Sequence, residues 1–202
     1  MIARILKIAL VLVLLQSFNL SESIIGKAIP GFSLRDVSGK NVSLKDYPNA
    51  KGFIVVFTCN HCPFAKLYTK RLNDLNTKYR VLNVPLLAIN PMDTMVYADE
   101  CLGKMQERAK ADGFNFPYLS DGSQLVTQNF SALRTPQAFV IWKENNQWII
   151  KYSGAIDDNG SEPDSVKNNY LSNAVDELLA GKQVANTETR SVGCYIHYRV
   201  YQ

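Results

Sequence analysis

Cys59-Asn60-His61-Cys62-Pro63 brings two thiols, an imidazole and a proline together, and these residue types at this spacing do redox chemistry. Thiol-disulfide exchange needs a thiolate that attacks and a second thiol close enough to resolve the mixed disulfide. Two intervening residues keep the sulfurs that close. Pro63 assigns the roles. Proline is favoured at the first helical position, where its missing N–H costs nothing, and this makes Cys62 the N-cap. Backbone N–H groups and the positive dipole end stabilise an anion there, so Cys62 is the expected low-pKa attacker and Cys59 its resolving partner. An imidazolium at His61 would favour the same thiolate and make the disulfide more oxidising. The alternative for His61 is a solvent-facing turn residue without that role. Of the other two thiols, Cys101 falls in a predicted helix and reads as structural. Cys194 reads first as a small buried hydrophobe in the tail, and second as a relay to or from the Cys59/Cys62 pair.

These sulfurs must be held where a strand runs into a helix. Residues 53–57, Phe-Ile-Val-Val-Phe, form a short apolar run of the kind found in strands covered on both faces. Ala65, Leu67, Leu72 and Leu75, set among Lys66, Lys70, Arg71 and Asp74, predict an amphipathic helix over 63–78. Upstream, 29–34 and 42–44 read as two short strands joined by a turn at Gly39. Downstream, the pattern predicts a strand at 84–90, a helix at 98–112 stopped by Gly113, a short strand at 116–119 and a helix at 123–130. Residues 138–142 and 148–152 flank Glu144-Asn145-Asn146, a hairpin signal, and a last helix covers 165–179 before Gly181. Strands alternating with helices give a parallel core with antiparallel strands added at one side.

The 202 residues suffice for one α/β domain, and no repeat, low-complexity stretch or linker divides them. Residues 1–23 carry Arg4 and Lys7, then an apolar run over 8–15, then Ser21-Glu22-Ser23, the layout of a secretory signal peptide. That run is well short of the roughly 20 residues that span a bilayer, so stable membrane insertion is not expected; an uncleaved N-terminal anchor is the alternative. The single domain is then 24–202, with a C-terminal tail from about 182. A net charge of +4 for the whole chain, without a basic cluster interleaved with aromatics, argues against nucleic acid. An exported, secreted or periplasmic chain meets an oxidising compartment, where disulfides persist. Asp157-Asp158-Asn159-Gly160 supplies too few ligands for a cation and reads as a solvated turn, and Tyr195, Tyr198 and Tyr201 read as packing residues.

Pro30-Gly31-Phe32-Ser33-Leu34 with Asp36 and Gly39, Phe57-Thr58-Cys59-Asn60-His61-Cys62-Pro63, Arg134-Thr135-Pro136 and Ser191-Val192-Gly193-Cys194 together span nearly all of the mature chain. On these residues it resembles the thioredoxin-like redoxins near the peroxiredoxin branch (alkyl hydroperoxide reductase/thiol-specific antioxidant). The resemblance implies a thioredoxin fold, a central mixed sheet flanked by helices, with an N-terminal β-hairpin extension. It also implies a cis peptide bond at Thr135-Pro136 beside the cysteines, where exposed backbone can pair with an extended thiol substrate, and substrate-binding roles for Arg134, Thr135 and Pro136. Two departures matter. A peroxiredoxin has Pro seven residues before its reactive Cys and Thr or Ser three before, positions held here by Val55 and Cys59. A thioredoxin register aligns Cys62 with the first, attacking cysteine and puts Ala65 where the second should be. Cys59 then approaches from the loop side.

The expected function is exported thiol-disulfide exchange through Cys59 and Cys62 on protein or small-molecule thiols, with a redox partner that leaves no mark in the sequence. No cofactor and no metal are expected. One alternative is a copper-binding protein of the same fold, with His197 as a distant ligand, since thiolates suit Cu(I). The other is a thiol peroxidase using Cys62, with Arg134 as the peroxide-polarising arginine; the absent Pro and Thr weaken it.

Overall fold

The computed structural model describes residues 23–199. The expected leader, apart from Ser23, and Tyr201 lie outside them. In chain order the elements are β1 (Ala28–Ile29), β2 (Ser33–Asp36), β3 (Asn41–Ser43), β4 (Gly52–Phe57), α1 (Pro63–Lys66), α2 (Thr69–Arg80), β5 (Leu86–Asn90), α3 (Leu102–Ala111), β6 (Tyr118–Ser120), α4 (Leu125–Asn129), β7 (Arg134–Thr135), β8 (Gln137–Glu144), β9 (Gln147–Gly154), α5 (Tyr170–Leu179) and β10 (Cys194–Tyr195).

Eight of these strands form one sheet in the order β1-β9-β8-β4-β5-β6-β2-β3. Its centre, β4-β5-β6, is parallel, and β8, β9 and β1 add antiparallel strands on one side while β2 and β3 do so on the other. β4 is buried at every position because each face of the sheet is covered. Phe53, Val55 and Phe57 point into one core with Leu87, Ile89, Phe139 and Phe130. Ile54 and Val56 point into the other, where α2, α3 and α5 contribute Leu72, Tyr79, Met105, Leu171 and Val175. The period-2 alternation of a strand thus reads as a continuous apolar run. Among the described residues no helix is long and apolar enough to cross a membrane.

Three elements depart from the sequence pattern. Residues 29–34 do not make one strand: Pro30 lacks an N–H for a ladder, and the chain divides there. β1 joins the β9 edge, and only β2 pairs with β3 as the expected hairpin, six strands away. The helix expected over 63–78 breaks after Lys66 and restarts at Thr69. Ala65 packs in one core and Tyr68 in the other, so a single axis cannot serve both. The helix expected over 98–112 becomes a single 3-10 turn, Ala98–Glu100, followed by α3 with Cys101 at its N-cap. That turn sends the Glu100 side chain inward and leaves Cys101, expected to be structural within a helix, exposed at the N-cap. The β8–β9 hairpin matches its signal. Asn145 and Asn146 both take positive φ, 47° and 64°, the requirement of a two-residue type I′ turn.

Candidate active site

β4 ends at Phe57, and the chain turns through Thr58–His61 into α1, with Cys62 in an extended conformation (φ −67°, ψ 118°) as N-cap and Pro63 in the first turn. All four cysteines are thiols in this structure. Both site sulfurs are fully buried. Facing them is the cis peptide Thr135-Pro136. Cys59 Sγ lies 3.1 Å from Thr135 Oγ1, and Cys62 Sγ, as a thiol, donates to Thr135 O at 3.0 Å. One residue thereby touches both sulfurs.

Their acidities are pushed apart. The Cys62 thiol is lowered to about 4, chiefly by the hydrogen bond it receives from the Cys59 thiol, with the Cys194 thiol and the N–H groups of Ala65 and Cys194 adding to it against the cost of burial. Cys59 is raised far above the ordinary thiol range, because its proton is held against the Cys62 anion, because it is buried, and because of the Glu100 charge. When one of the two thiols ionises, these shifts favour the charge on Cys62.

His61 turns its ring to Glu100 and Tyr97. Its Nδ1 lies 2.6 Å from Glu100 Oε1, and its ring stacks on Tyr97 with centroids 4.4 Å apart. Glu100, which the sequence reading passed over, organises the loop. Its oxygens accept from Asn60 N (2.9 Å), His61 N (2.8 Å) and Asn90 Nδ2 (2.7 Å) in full burial. Asn60 bonds Asp99 O and Tyr118 OH, and the Arg108 guanidinium bonds Cys59 O. Nothing local in sequence marks Glu100, since its partners lie 10 to 40 residues away.

The tail reaches the site, as the second reading of Cys194 requires. β10 pairs antiparallel with β7, Cys194 opposite Thr135 and Tyr195 opposite Arg134, and Ile196 N donates to Leu133 O at 2.9 Å. Gly193 lies so close to the Thr135-Pro136 peptide that a Cβ would overlap the Thr135 carbonyl. The Cys194 thiol sits beside Cys62, half-buried, and is raised to about 11 by that burial and by the Cys62 anion. Cys194, read first as a small buried hydrophobe in the tail, is half-buried and packs against the core that holds Cys59 and Cys62.

Residues 25–155 match the AhpC/TSA family. The chain belongs to that family. Over 120 residues it is 27% identical to the thiol-disulfide oxidoreductase ResA of Bacillus thuringiensis subsp. konkukian, covering 59% of this chain and 65% of ResA, just under two thirds of that relative. A hypothetical protein of Sinorhizobium meliloti 1021 is 30% identical and superimposes with a TM-score of 0.79 over 88% of this chain and 96% of its own. Peroxidoxin BcpB of Mycobacterium tuberculosis, 17% identical, aligns with a TM-score of 0.53 over 77% of this chain and 94% of its own and shares the fold. The fold is thioredoxin-like, as expected from the sequence.

Within the AhpC/TSA frame, two expected features move. Arg134 faces the tail: it bonds Gly193 O (2.9 Å) and Tyr195 OH (2.6 Å) and lies 3.8 Å over the Tyr195 ring, so it is a tail clamp in place of a peroxide-polarising group. His197 packs against Tyr97 at 6.3 Å, and Tyr97 separates it from His61. Cys59, His61 and Glu100 do bring one ligand atom each within 4.8 Å of one another. This mixed set is a poor match to Cu(I), which favours soft sulfur donors, and its atoms already serve the loop and Thr135. The acidic turn at 157–160 is also more than solvated. Asp157 is buried and paired with Arg71 Nη1 at 2.6 Å, which also bonds Asn159 O, so the turn is tied to α2.

Proposed function

We propose that the chain is an exported thiol-disulfide oxidoreductase in which Cys62 is the exchanging sulfur and Cys59 its partner, acting on protein or small thiols and disulfides. The observation that carries this is the opposite displacement of two buried sulfurs that share one residue, Thr135, next to a cis-proline. A thiolate that persists at neutral pH is a ready attacker and a good leaving group. A neighbouring thiol that keeps its proton can donate it and then close the ring. The likeness to ResA, a thiol-disulfide oxidoreductase, supports the same chemistry. Beside Pro136, a groove of about 470 Å³ lined by Phe64, Leu67, Ile156 and Val192 offers apolar surface to a client's side chains. Export rests on the leader-like residues 1–23.

The test is reduction of insulin disulfides by the purified mature chain, run beside hydrogen peroxide consumption and Cu(I) titration on the same sample. Exchange is expected, and Cys62→Ser abolishes it. Rapid peroxide turnover without exchange would make the chain a peroxidase, and tight stoichiometric copper binding without exchange would make it a metal carrier.

A further inference from the structure

The backbone of β7 presents an edge with which an extended chain can pair. In this molecule the tail has taken that edge. β10 lies along β7 as such a chain would, with Cys194 at the position opposite Thr135, whose carbonyl oxygen is 3.0 Å from Cys62 Sγ. The approach depends on Gly193, where any side chain would collide with the Thr135 carbonyl, and on Arg134, which grips Gly193 O and the Tyr195 ring. Further anchors hold the tail beyond Cys194: Gln124 Nε2 donates to His197 O (2.9 Å), Tyr198 OH donates to Ala132 O (2.5 Å), and Arg199 pairs with Asp93. Cys62 and Cys59 have no exposed surface, whereas Cys194 does.

We propose that Cys194 is the outer sulfur of a three-thiol relay, Cys194 to Cys62 to Cys59, presented to Cys62 by the tail in the place of a client strand. The inference rests on Cys62 being the exchanging sulfur. With a small disulfide as oxidant, the Cys194 thiolate attacks one sulfur, that S–S bond breaks and one small thiolate leaves. The Cys62 thiolate then attacks Cys194 Sγ, expels the second small thiolate and forms Cys62–Cys194. Finally Cys59 attacks Cys62, its proton passes to the departing Cys194, and the disulfide is Cys59–Cys62. Two electrons move from the chain to the small disulfide. In reverse, an external thiolate attacks Cys194 of Cys62–Cys194, and Cys62, the more acidic thiol, is the better leaving group.

The test uses the full mature chain with exposed Cys101 replaced (Cys101→Ser), reacted with glutathione disulfide. Cys59→Ser in this background is expected to trap a Cys62–Cys194 crosslink in non-reducing peptide maps. Cys194→Ser, nearly isosteric so that the tail stays docked, should slow exchange by about tenfold or more. The parent's rate should also climb between about pH 7 and about pH 9, because the attacking sulfur is mostly protonated there; attack by Cys62 itself would be flat. Glutathione found on Cys62 with Cys194 free, or Cys194→Ser exchanging as fast as its parent, overturns the relay. If Cys194→Ser fails to fold by circular dichroism, the Cys59→Ser map decides alone. Exchange that survives Cys62→Ser overturns the oxidoreductase reading itself, a separate outcome.

Discussion

Cys62 owes its acidity to two neighbouring thiols and to backbone N–H groups, and this decides what pH does to the reduced site. Its folded pKa lies below the unfolded thiol value of about 8.5, so the stability it gives the reduced form is present at and above that value and is lost as pH falls through about 4. Cys59, displaced upward, opposes it once unfolded thiols ionise. The melting temperature of the reduced protein relative to its disulfide form should therefore rise from about pH 4 to about pH 8, and Cys62→Ser should flatten the difference. A stabilised thiolate also makes the couple oxidising, and a redox titration is expected to give about −200 mV or higher. A potential near that of thioredoxin would refute this. Glu100→Gln should cost about 1–3 kcal/mol in urea unfolding, because an amide cannot accept from every donor now turned toward the carboxylate. The N-cap position of Cys62 was legible in the sequence because Pro63 fixes it locally. Glu100 was not, since nothing near it announces that its carboxylate meets a loop 40 residues earlier, and the stacking of the His61 ring on Tyr97 was equally hidden, because adjacency along the chain says nothing about which way a ring turns.

Elements were legible where one strong local signal dominated. β4 and β5 follow from apolar runs and the β8–β9 turn from Asn145-Asn146, where left-handed φ values favour asparagine. Asn146→Ala should destabilise by about 1 kcal/mol in the same urea assay, with the site thiols unaffected. Helix boundaries failed where two cores competed for one segment, as at Ala65 and Tyr68, or where a side chain was needed elsewhere, as at Glu100. The pairing of β10 with β7 left no pattern at all: two residues cannot show periodicity, and the need for glycine at 193 is visible only when Thr135 is beside it. Gly193→Ala is expected to push the tail off β7, with a loss of about 1–3 kcal/mol and faster alkylation of Cys62 by iodoacetamide in the native state. Unchanged alkylation would mean that the tail does not guard the sulfur.

At the scale of the molecule, the thioredoxin-like order could be anticipated from alternation of strands and helices, whereas the distribution of its ends could not. Among the described residues, the first strand closes one edge of the sheet and the last pairs with β7 beside the site. Expressed from its first Met in a host with a secretory pathway, the protein should be recovered from the exported fraction with an N-terminus at or just after Ser23; N-terminal sequencing that finds Met1 retained would favour an anchor. The sheet also partitions the interior, and this has a consequence for how redox state spreads. Cys59, Cys62 and Ile196 belong to one core, while α2, α3 and α5 pack on the other. β4 stands between them as a rigid septum. Amide hydrogen exchange compared between reduced and oxidised protein should accordingly be lopsided: the tail, β7 and α1 change their protection, while α5 on the far side keeps the same rates in both states.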